Sequence, residues 1–238
     1  IQDAIAIAAG EATDETGAVL MVLPTAVSKL IDATWTVGGV VGTPVGGVVS
    51  GTTANLASTW YEVLLIYRSD TGVVDVAFQT TANRATLPAS YTHKRRIGWV
   101  RNNSGQTIDQ FTQVNDRFTW VTQVNDVSAT STATAAAVTL SAPPNSVARF
   151  RATNQCTTST NTTFHTVFSE IAEGNVTPAG TTGIASLGGQ DLAGSHAGHF
   201  ELRVDASSQI EHDSDGATTT FDISTYGWID DRLRLSAT

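Results

Sequence analysis

The stretch that decides the fold class is WYEVLLIY at residues 60–67, followed by RSDTG at 68–72 and VVDVAFQ at 73–79. Both outer runs are rich in β-branched and aromatic residues, which suit the pleated surface of a sheet. A polar turn of this length that contains glycine is typical of a β-hairpin with a longer loop or a bulge. A further strand-like run, HKRRIGWVR at 93–101, follows a loop that contains proline. The middle of the chain therefore predicts three consecutive strands.

The composition extends this prediction to the whole chain. Thr occurs 37 times among 238 residues, and charged residues make up 15% of the chain, against about 25% in an average globular protein. A surface of Thr, Ser, Asn and Ala favours sheet over helix, because β-branched side chains lose rotamer freedom in a helix. Strand-like runs recur about every 8–15 residues, with turns between them. We predict an all-β fold: an antiparallel, jelly-roll-like β-sandwich with long loops and little helix.

The length of the chain is compatible with a single β-sandwich domain over residues 1–238. Residues 127–137 consist almost entirely of Ser, Thr and Ala, which is the composition of a connection. Strand-like runs resume directly after it, so we expect a connection within one sandwich. The alternative is two β subdomains, 1–126 and 138–238, joined by this segment.

Charge and cysteine content restrict the classes of partner. The net charge is −9 and the isoelectric point is about 4.8, so the chain lacks the basic field that phosphate backbones require, and we expect no nucleic-acid partner. No run approaches the ~18 apolar residues of a membrane helix, so we expect no membrane insertion. Cys156 is the single cysteine, which excludes an intramolecular disulfide.

Two short patterns are candidate metal sites, and both are incomplete. His196 and His199 lie three residues apart, whereas a zinc site needs a third and usually a fourth ligand. Asp213 and Asp215 in EHDSDG resemble half of a calcium loop, but the later Glu of such a loop is missing. We interpret the histidines as solvated and the acidic pattern as a hairpin turn, and we expect no metal and no other cofactor.

The sequence singles out no catalytic residue and leaves the ligand-binding residues unassigned. The Gly-x-Ser-x-Gly elbow of serine hydrolases does not occur. A glycosidase needs two carboxyl groups at a defined separation, and none of the 22 acidic residues is distinguished for that role. We therefore expect a protein that is not an enzyme.

The order of several motifs resembles a family of tailed-phage and prophage virion structural proteins. The similarity covers about residues 30–126 and the closing segment, and its most specific part is YTHKRRIG at residues 91–98. The signature residues that carry it are Trp60, Asp75, Tyr91, Arg95, Arg96, Gly98 and Trp228. Arg95 and Arg96 are adjacent in a predicted strand, so we expect them on opposite faces, one internal and one at a surface or subunit contact.

The resemblance implies a non-enzymatic component of the virion, made in the cytoplasm of the bacterial host. We expect a tail-fibre, collar or head appendage that assembles as a homo-oligomer, with a trimer favoured. Its expected partners are other virion proteins and host-surface glycan. Two alternatives stay open: a capsid decoration or cement protein that stabilises the head lattice, and a glycan-degrading virion enzyme.

Overall fold

Strands form most of the part of the chain that the computed structural model describes, namely residues 3–52, 54–81, 86–130, 135–156, 164–174, 176, 186–189, 195–214 and 219–230. Helical structure among these residues is confined to 3₁₀ turns such as Ile171–Glu173. The prediction of an all-β sandwich fold is confirmed. Contacts between Cα atoms divide the chain into two compact units, unit 1 (Ile1–Asp109) and unit 2 (Gln110–Thr238).

Unit 1 is built around a six-stranded sheet in the order β1-β4-β5-β7-β6-β8, together with a two-stranded sheet of β2 and β3. Its strands are β1 (Ala4–Ile7), β2 (Gly10–Thr13), β3 (Leu20–Leu23), β4 (Val27–Thr34), β5 (Val45–Val48), β6 (Thr59–Tyr67), β7 (Val74–Gln79) and β8 (His93–Asn102). The strands β6 and β7 pair as an antiparallel hairpin, and β8 pairs antiparallel with β6. The prediction of three consecutive strands in this region is confirmed.

The central position of β6 explains why its sequence is largely apolar. It lies between β7 and β8, and all six residues from Tyr61 to Ile66 are buried. On one face, Leu64 and Ile66 belong to a core cluster that includes Tyr91. A strand that is buried on both faces lacks the apolar–polar alternation of a half-exposed strand.

The six-stranded sheet is not wholly antiparallel, which corrects the predicted arrangement. The strand β5 pairs in parallel with both β4 and β7. Glycines permit this close approach: a Cβ atom on Gly46 would lie 1.9 Å from the carbonyl oxygen of Thr34, and one on Gly47 would lie 2.7 Å from the ring of Phe78. Any larger residue would push the strands apart.

Unit 2 contains two antiparallel sheets. Its strands are β9 (Phe111–Val114), β10 (Arg117–Thr130), β11 (Ala136–Thr139), β12 (Val147–Cys156), β13 (Phe164–Glu170), β14 (Ser186–Gly189), β15 (Ser195–Arg203), β16 (Gln209–Ser214) and β17 (Thr219–Ile229). One sheet has five strands in the order β15-β12-β17-β10-β9, and the other has four in the order β11-β16-β13-β14.

Aromatic side chains join the two sheets of unit 2 face to face. Phe150 of the five-stranded sheet meets Phe168 of the four-stranded sheet edge to face, with ring centroids 5.6 Å apart. The imidazole of His212 stacks on Phe221 across the same interface at 4.1 Å. These contacts bury the inner faces of both sheets, as in a β-sandwich.

The Ser/Thr/Ala-rich segment is partly regular structure. Residues 127–130 belong to β10, and Thr130 pairs with Thr220 of β17. Residues 131–134 lie outside the described part of the chain. The boundary between the two compact units falls at Asp109 and Gln110, and the choice between one domain and two stays a prediction.

Candidate functional site

The histidines proposed as zinc ligands both lie on β15. The side chain of His199 is exposed, and its ring centroid is 5.6 Å from that of Tyr226. The side chain of His196 is outside the described part. Among the described residues, no group of three or more His, Cys, Asp or Glu side chains is placed to hold a metal ion. The zinc site stays a hypothesis without a third ligand.

The acidic pattern proposed as half of a calcium loop begins inside a strand. Asp213 belongs to β16 and is buried, and its Oδ1 accepts a hydrogen bond of 2.8 Å from the backbone N–H of Ser214. This position differs from the predicted hairpin turn. Asp215 lies outside the described residues.

Asp75, one of the signature residues, forms part of a buried polar cluster in unit 1. Its Oδ2 lies 3.0 Å from Nζ of Lys29, and the backbone N–H of Gly38 donates to the same oxygen. Lys29 also donates to the carbonyl oxygen of Thr36 and lies over the ring of Trp35. These bonds fix the segment that follows β4, so they serve the scaffold.

Four further signature residues lie in or directly before β8. Tyr91 is buried and packs edge to face on Trp35, with ring centroids 5.3 Å apart. Arg96 is buried, with its guanidinium 4.8 Å from the ring centroid of Trp99, whereas Arg95 is half-buried. Gly98 lies beside a register shift between β6 and β8.

The remaining two signature residues are the tryptophans Trp60 and Trp228, and each packs against another aromatic ring. Trp60 is half-buried and meets Trp99 edge to face at 6.4 Å. Trp228 in unit 2 is fully buried, and its ring stacks on Phe118 at 4.7 Å. The signature residues therefore lie in sheets and cores, and none of them lines an open site in the structure described.

A group of polar and aromatic side chains, several of them exposed, lies on the five-stranded sheet of unit 2. Cross-strand partners share one side of a sheet. Arg149 and Arg151 of β12 lie opposite Glu201 and His199 of β15, and Arg151 also lies opposite Ser224 of β17. The residues between them, such as Phe150, point into the sandwich. We call the opposite side the outer face; its described polar and aromatic members include Arg117, Thr119, Arg149, Arg151, Thr153, His199, Glu201, Arg203, Asp222, Ser224 and Tyr226.

Arg149 occupies the middle of the outer face and is held from several sides. Its Nε lies 3.2 Å from Oε1 of Glu201, and its guanidinium carbon lies 4.8 Å from the ring centroid of Tyr226. Its Nη1 reaches Thr119 on β10 at 3.5 Å. Gly227 lies between Arg149 and Thr119 in the register, and its missing side chain leaves the path across β17 open.

Alternation along β17 places Tyr226 on the outer face, together with Asp222 and Ser224. Register shifts occur next to it in both neighbouring strands, between Arg149 and Phe150 and between Thr119 and Val124. The bulge at these shifts lets Trp228, two residues further along, point into the sandwich. The half-buried ring of Tyr226 lies between Arg149 and His199, where a ligand can reach its neighbours.

The chemistry of the outer face suits an amphipathic ligand with several hydroxyl groups. Tyr226 offers an apolar ring with a polar hydroxyl. Arg149 and Arg151 donate hydrogen bonds, and Glu201 accepts them. A sugar ring has matching properties, because its C–H groups pack on aromatic carbon and its hydroxyl groups bind charged side chains.

Sequence reasoning found only part of this group. It noted His199, but it did not assign Arg149, Arg151 or Tyr226 to a site. The available signal was the alternation of residues 147–153, which places both arginines on one side of a strand. Their contact with Tyr226 depends on strand pairing, which no local pattern encodes.

No protein-family model matches this chain, and no match is found among curated proteins. The resemblance to phage virion proteins stays a prediction that rests on the residues quoted for it. Within the described residues, no helix is long and apolar enough to cross a membrane.

Proposed function

We propose that this chain is a non-enzymatic surface protein of a tailed-phage particle that contacts host-surface glycan through the outer face. The observation that carries the glycan contact is the grouping of Tyr226, Arg149 and His199 on a hydrogen-bonded sheet. A hydrogen-bonded sheet restricts the positions of such side chains, which lowers the entropy lost on binding. The virion assignment is supported by the YTHKRRIG motif and the other signature residues.

The same resemblance supports a tail-fibre, collar or head appendage that assembles as a homo-oligomer, with a trimer favoured. Its other partners are virion proteins, and its location is the assembled particle. Light scattering coupled to gel filtration gives the number of chains in the assembly. A monomer at micromolar concentration would contradict the proposed oligomer.

Mass spectrometry of purified particles tests the virion assignment, because it detects the chain and counts its copies relative to the major capsid protein. The glycan contact is tested with purified protein on an array of bacterial surface glycans. We expect binding that falls at least about tenfold in Tyr226→Ala. The matched control is Val121→Ala, which alters an exposed residue on β10 of the same sheet.

A capsid cement protein is the second candidate, and one observation favours it. Val37, Val40 and Val41 lie between β4 and β5 and are 56%, 60% and 63% exposed. Exposed apolar groups that cluster in this way are found at protein–protein contacts. A cement protein is present in many copies per head, whereas a fibre component is present in a few. Turnover of host polysaccharide by the purified chain would instead support the enzymatic alternative.

A further inference from the structure

We propose that the glycan bound by the outer face carries an anionic group, and that Arg151 binds this group. The inference rests on the glycan contact proposed above and adds the chemical class of the ligand. It follows from the charge of the face, from the unequal surroundings of two arginines, and from the residues beside Arg151.

The outer face is positive in a chain that is negative overall. Its described charged side chains are Arg117, Arg149, Arg151 and Arg203 on one hand, and Glu201 and Asp222 on the other. Four cations against two carboxylates give a formal charge of +2, whereas the whole chain carries −9. A positive patch on an acidic protein concentrates anionic ligands at that place and repels them elsewhere.

The two central arginines differ in what surrounds them. Arg149 contacts Oε1 of Glu201 at 3.2 Å and lies against Tyr226. Arg117 contacts the same oxygen at 3.5 Å. Arg151 lies two residues after Arg149 on β12, and its side chain is exposed. No described residue forms an ion pair or a hydrogen bond with its guanidinium. Arg203, the fourth arginine of this face, donates to the carbonyl oxygen of Asn145 at 2.8 Å. Arg151 is therefore the arginine of this face whose guanidinium no described residue engages.

The neighbours of Arg151 offer an imidazole and a hydroxyl group beside the guanidinium. His199 lies opposite it on β15, and Ser224 lies opposite it on β17. The ring of His199 also contacts Tyr226 at 5.6 Å. A sugar ring placed against Tyr226 and His199 directs a substituent towards Arg151, whose guanidinium binds carboxylate or phosphate through two parallel hydrogen bonds.

Carboxylate and phosphate share this chemistry, so the test uses probes for both. Binding of the full chain is measured by titration calorimetry with oligogalacturonate, with its fully methyl-esterified form as a matched neutral sugar, and with phosphorylated oligomannose. We expect at least one acidic probe to bind about tenfold or more tightly than the ester. Raising the salt concentration from 50 to 500 mM should remove most of this preference.

Variants of Arg151 on β12 test whether this residue binds the anionic group. Arg151→Ala should lower affinity for the acidic probe about tenfold and leave the ester unaffected, while Arg151→Lys should retain part of the preference. Arg68→Ala, which removes a partly exposed arginine of unit 1, is the control and should bind as the wild type does. Thermal unfolding verifies that each variant is folded.

Three results would overturn the proposal, and they separate it from the proposed function. Equal binding of acid and ester shows that the face binds glycan without selecting charge. A preference for acid that survives Arg151→Ala assigns the charge recognition to other residues. The absence of binding to every probe and to the glycan array contradicts the glycan contact as well.

Discussion

Lys29 and Asp75 form an ion pair in the interior of unit 1, with Nζ 3.0 Å from Oδ2 and side chains that are 0% and 2% exposed. The pair joins β4 to β7, and its further hydrogen bonds to Thr36 and Gly38 fix the segment that leads to β5. Burial lowers the pKa of Lys29, and the charge of Asp75 opposes this change. Each of the two buried charges is therefore stabilised by the other.

Removal of either member of this pair should destabilise unit 1. Lys29→Met leaves a carboxylate without its buried partner, and Asp75→Asn does the same to the ammonium group, so we expect each to lower the free energy of unfolding by about 3–5 kcal/mol. The double variant Lys29→Met/Asp75→Leu should cost much less than the sum of the two, because it leaves no buried charge. Urea denaturation of the three variants measures this coupling.

The control for this cycle is the exposed pair of Arg68 and Asp70, whose Nη2 and Oδ2 atoms lie 2.7 Å apart with both side chains partly in solvent. Arg68→Ala should leave the unfolding transition almost unchanged, since surface ion pairs contribute little. Additive single-variant effects at Lys29 and Asp75 would show that the two charges do not stabilise each other.

Replacing two glycines of the six-stranded sheet by alanine should change the free energy of unfolding in opposite directions. A Cβ atom on Gly46 would meet the carbonyl oxygen of Thr34 at 1.9 Å, so Gly46→Ala must separate β4 from β5, at a cost of about 3 kcal/mol or more. A Cβ atom on Gly98 meets nothing within 4 Å. Gly98→Ala should therefore stabilise the protein by about 0.5–1 kcal/mol through the unfolded chain.

Thermal unfolding of both glycine variants checks this pair of expectations. The result also bears on the signature motif, because Gly98 belongs to it and Gly46 does not. If Gly98→Ala were strongly destabilising, the space around Gly98 would be needed for the backbone geometry beside the register shift in β8.

The sequence predicts the hairpin of β6 and β7 well because its determinants are local. Apolar runs and a glycine-containing turn lie within twenty residues of each other. The parallel pairing of β5 is not predictable in this way. It depends on contacts of Gly46 and Gly47 with residues of β4 and β7, and a glycine-rich sequence alone is equally compatible with a loop.

The group of side chains on the outer face is likewise not predictable from local sequence alone. Arg149, Glu201 and Tyr226 come from three strands, and the register between these strands brings them together. The bulge beside Tyr226, which turns Trp228 inward, has no signature in its own sequence. The alternation of β12 shows that Arg149 and Arg151 share a face, but it does not show which partners they meet.

Asp14 organises the turn between β2 and β3, which gives a third prediction. Its carboxylate accepts hydrogen bonds from the hydroxyl of Thr16 and from the backbone N–H groups of Ala18 and Val19, and it lies 3.1 Å from Nδ1 of His93. Burial raises the pKa of Asp14, but these hydrogen bonds outweigh it and hold the pKa well below its usual range. Asp14→Ala should therefore open the turn.

Amide hydrogen exchange measures the opening of this turn directly. In Asp14→Ala, the amides of Ala18 and Val19 should exchange faster, while Glu15→Gln, which changes an adjacent exposed carboxyl, should leave them protected. In the wild type, the depressed pKa means that this contribution is present above the usual aspartate pKa and is lost as pH falls through the folded value. Unchanged protection in Asp14→Ala would assign the turn to its backbone bonds alone.

The buried imidazole of His212 should make unit 2 sensitive to acid. It is 2% exposed, and its ring lies 4.1 Å from that of Phe221 with the planes 17° apart. Burial lowers the pKa of His212 to about 4 from its usual value of 6.5. Unfolding returns the group to its usual pKa, so the unfolded chain binds more protons between these two values. Stability should therefore fall as pH drops from 6.5 to 4, by up to about 3 kcal/mol from this group.

The difference between wild type and His212→Gln isolates this contribution, because carboxylates titrate equally in both proteins. We expect the free energy of unfolding, measured by urea denaturation from pH 7 to pH 4, to fall less steeply in His212→Gln. His199→Gln alters an exposed imidazole on β15 and should keep the wild-type slope. Equal slopes in wild type and His212→Gln would mean that His212 takes up its proton without unfolding. The ring would then have to leave its stack on Phe221 while the two sheets stay paired.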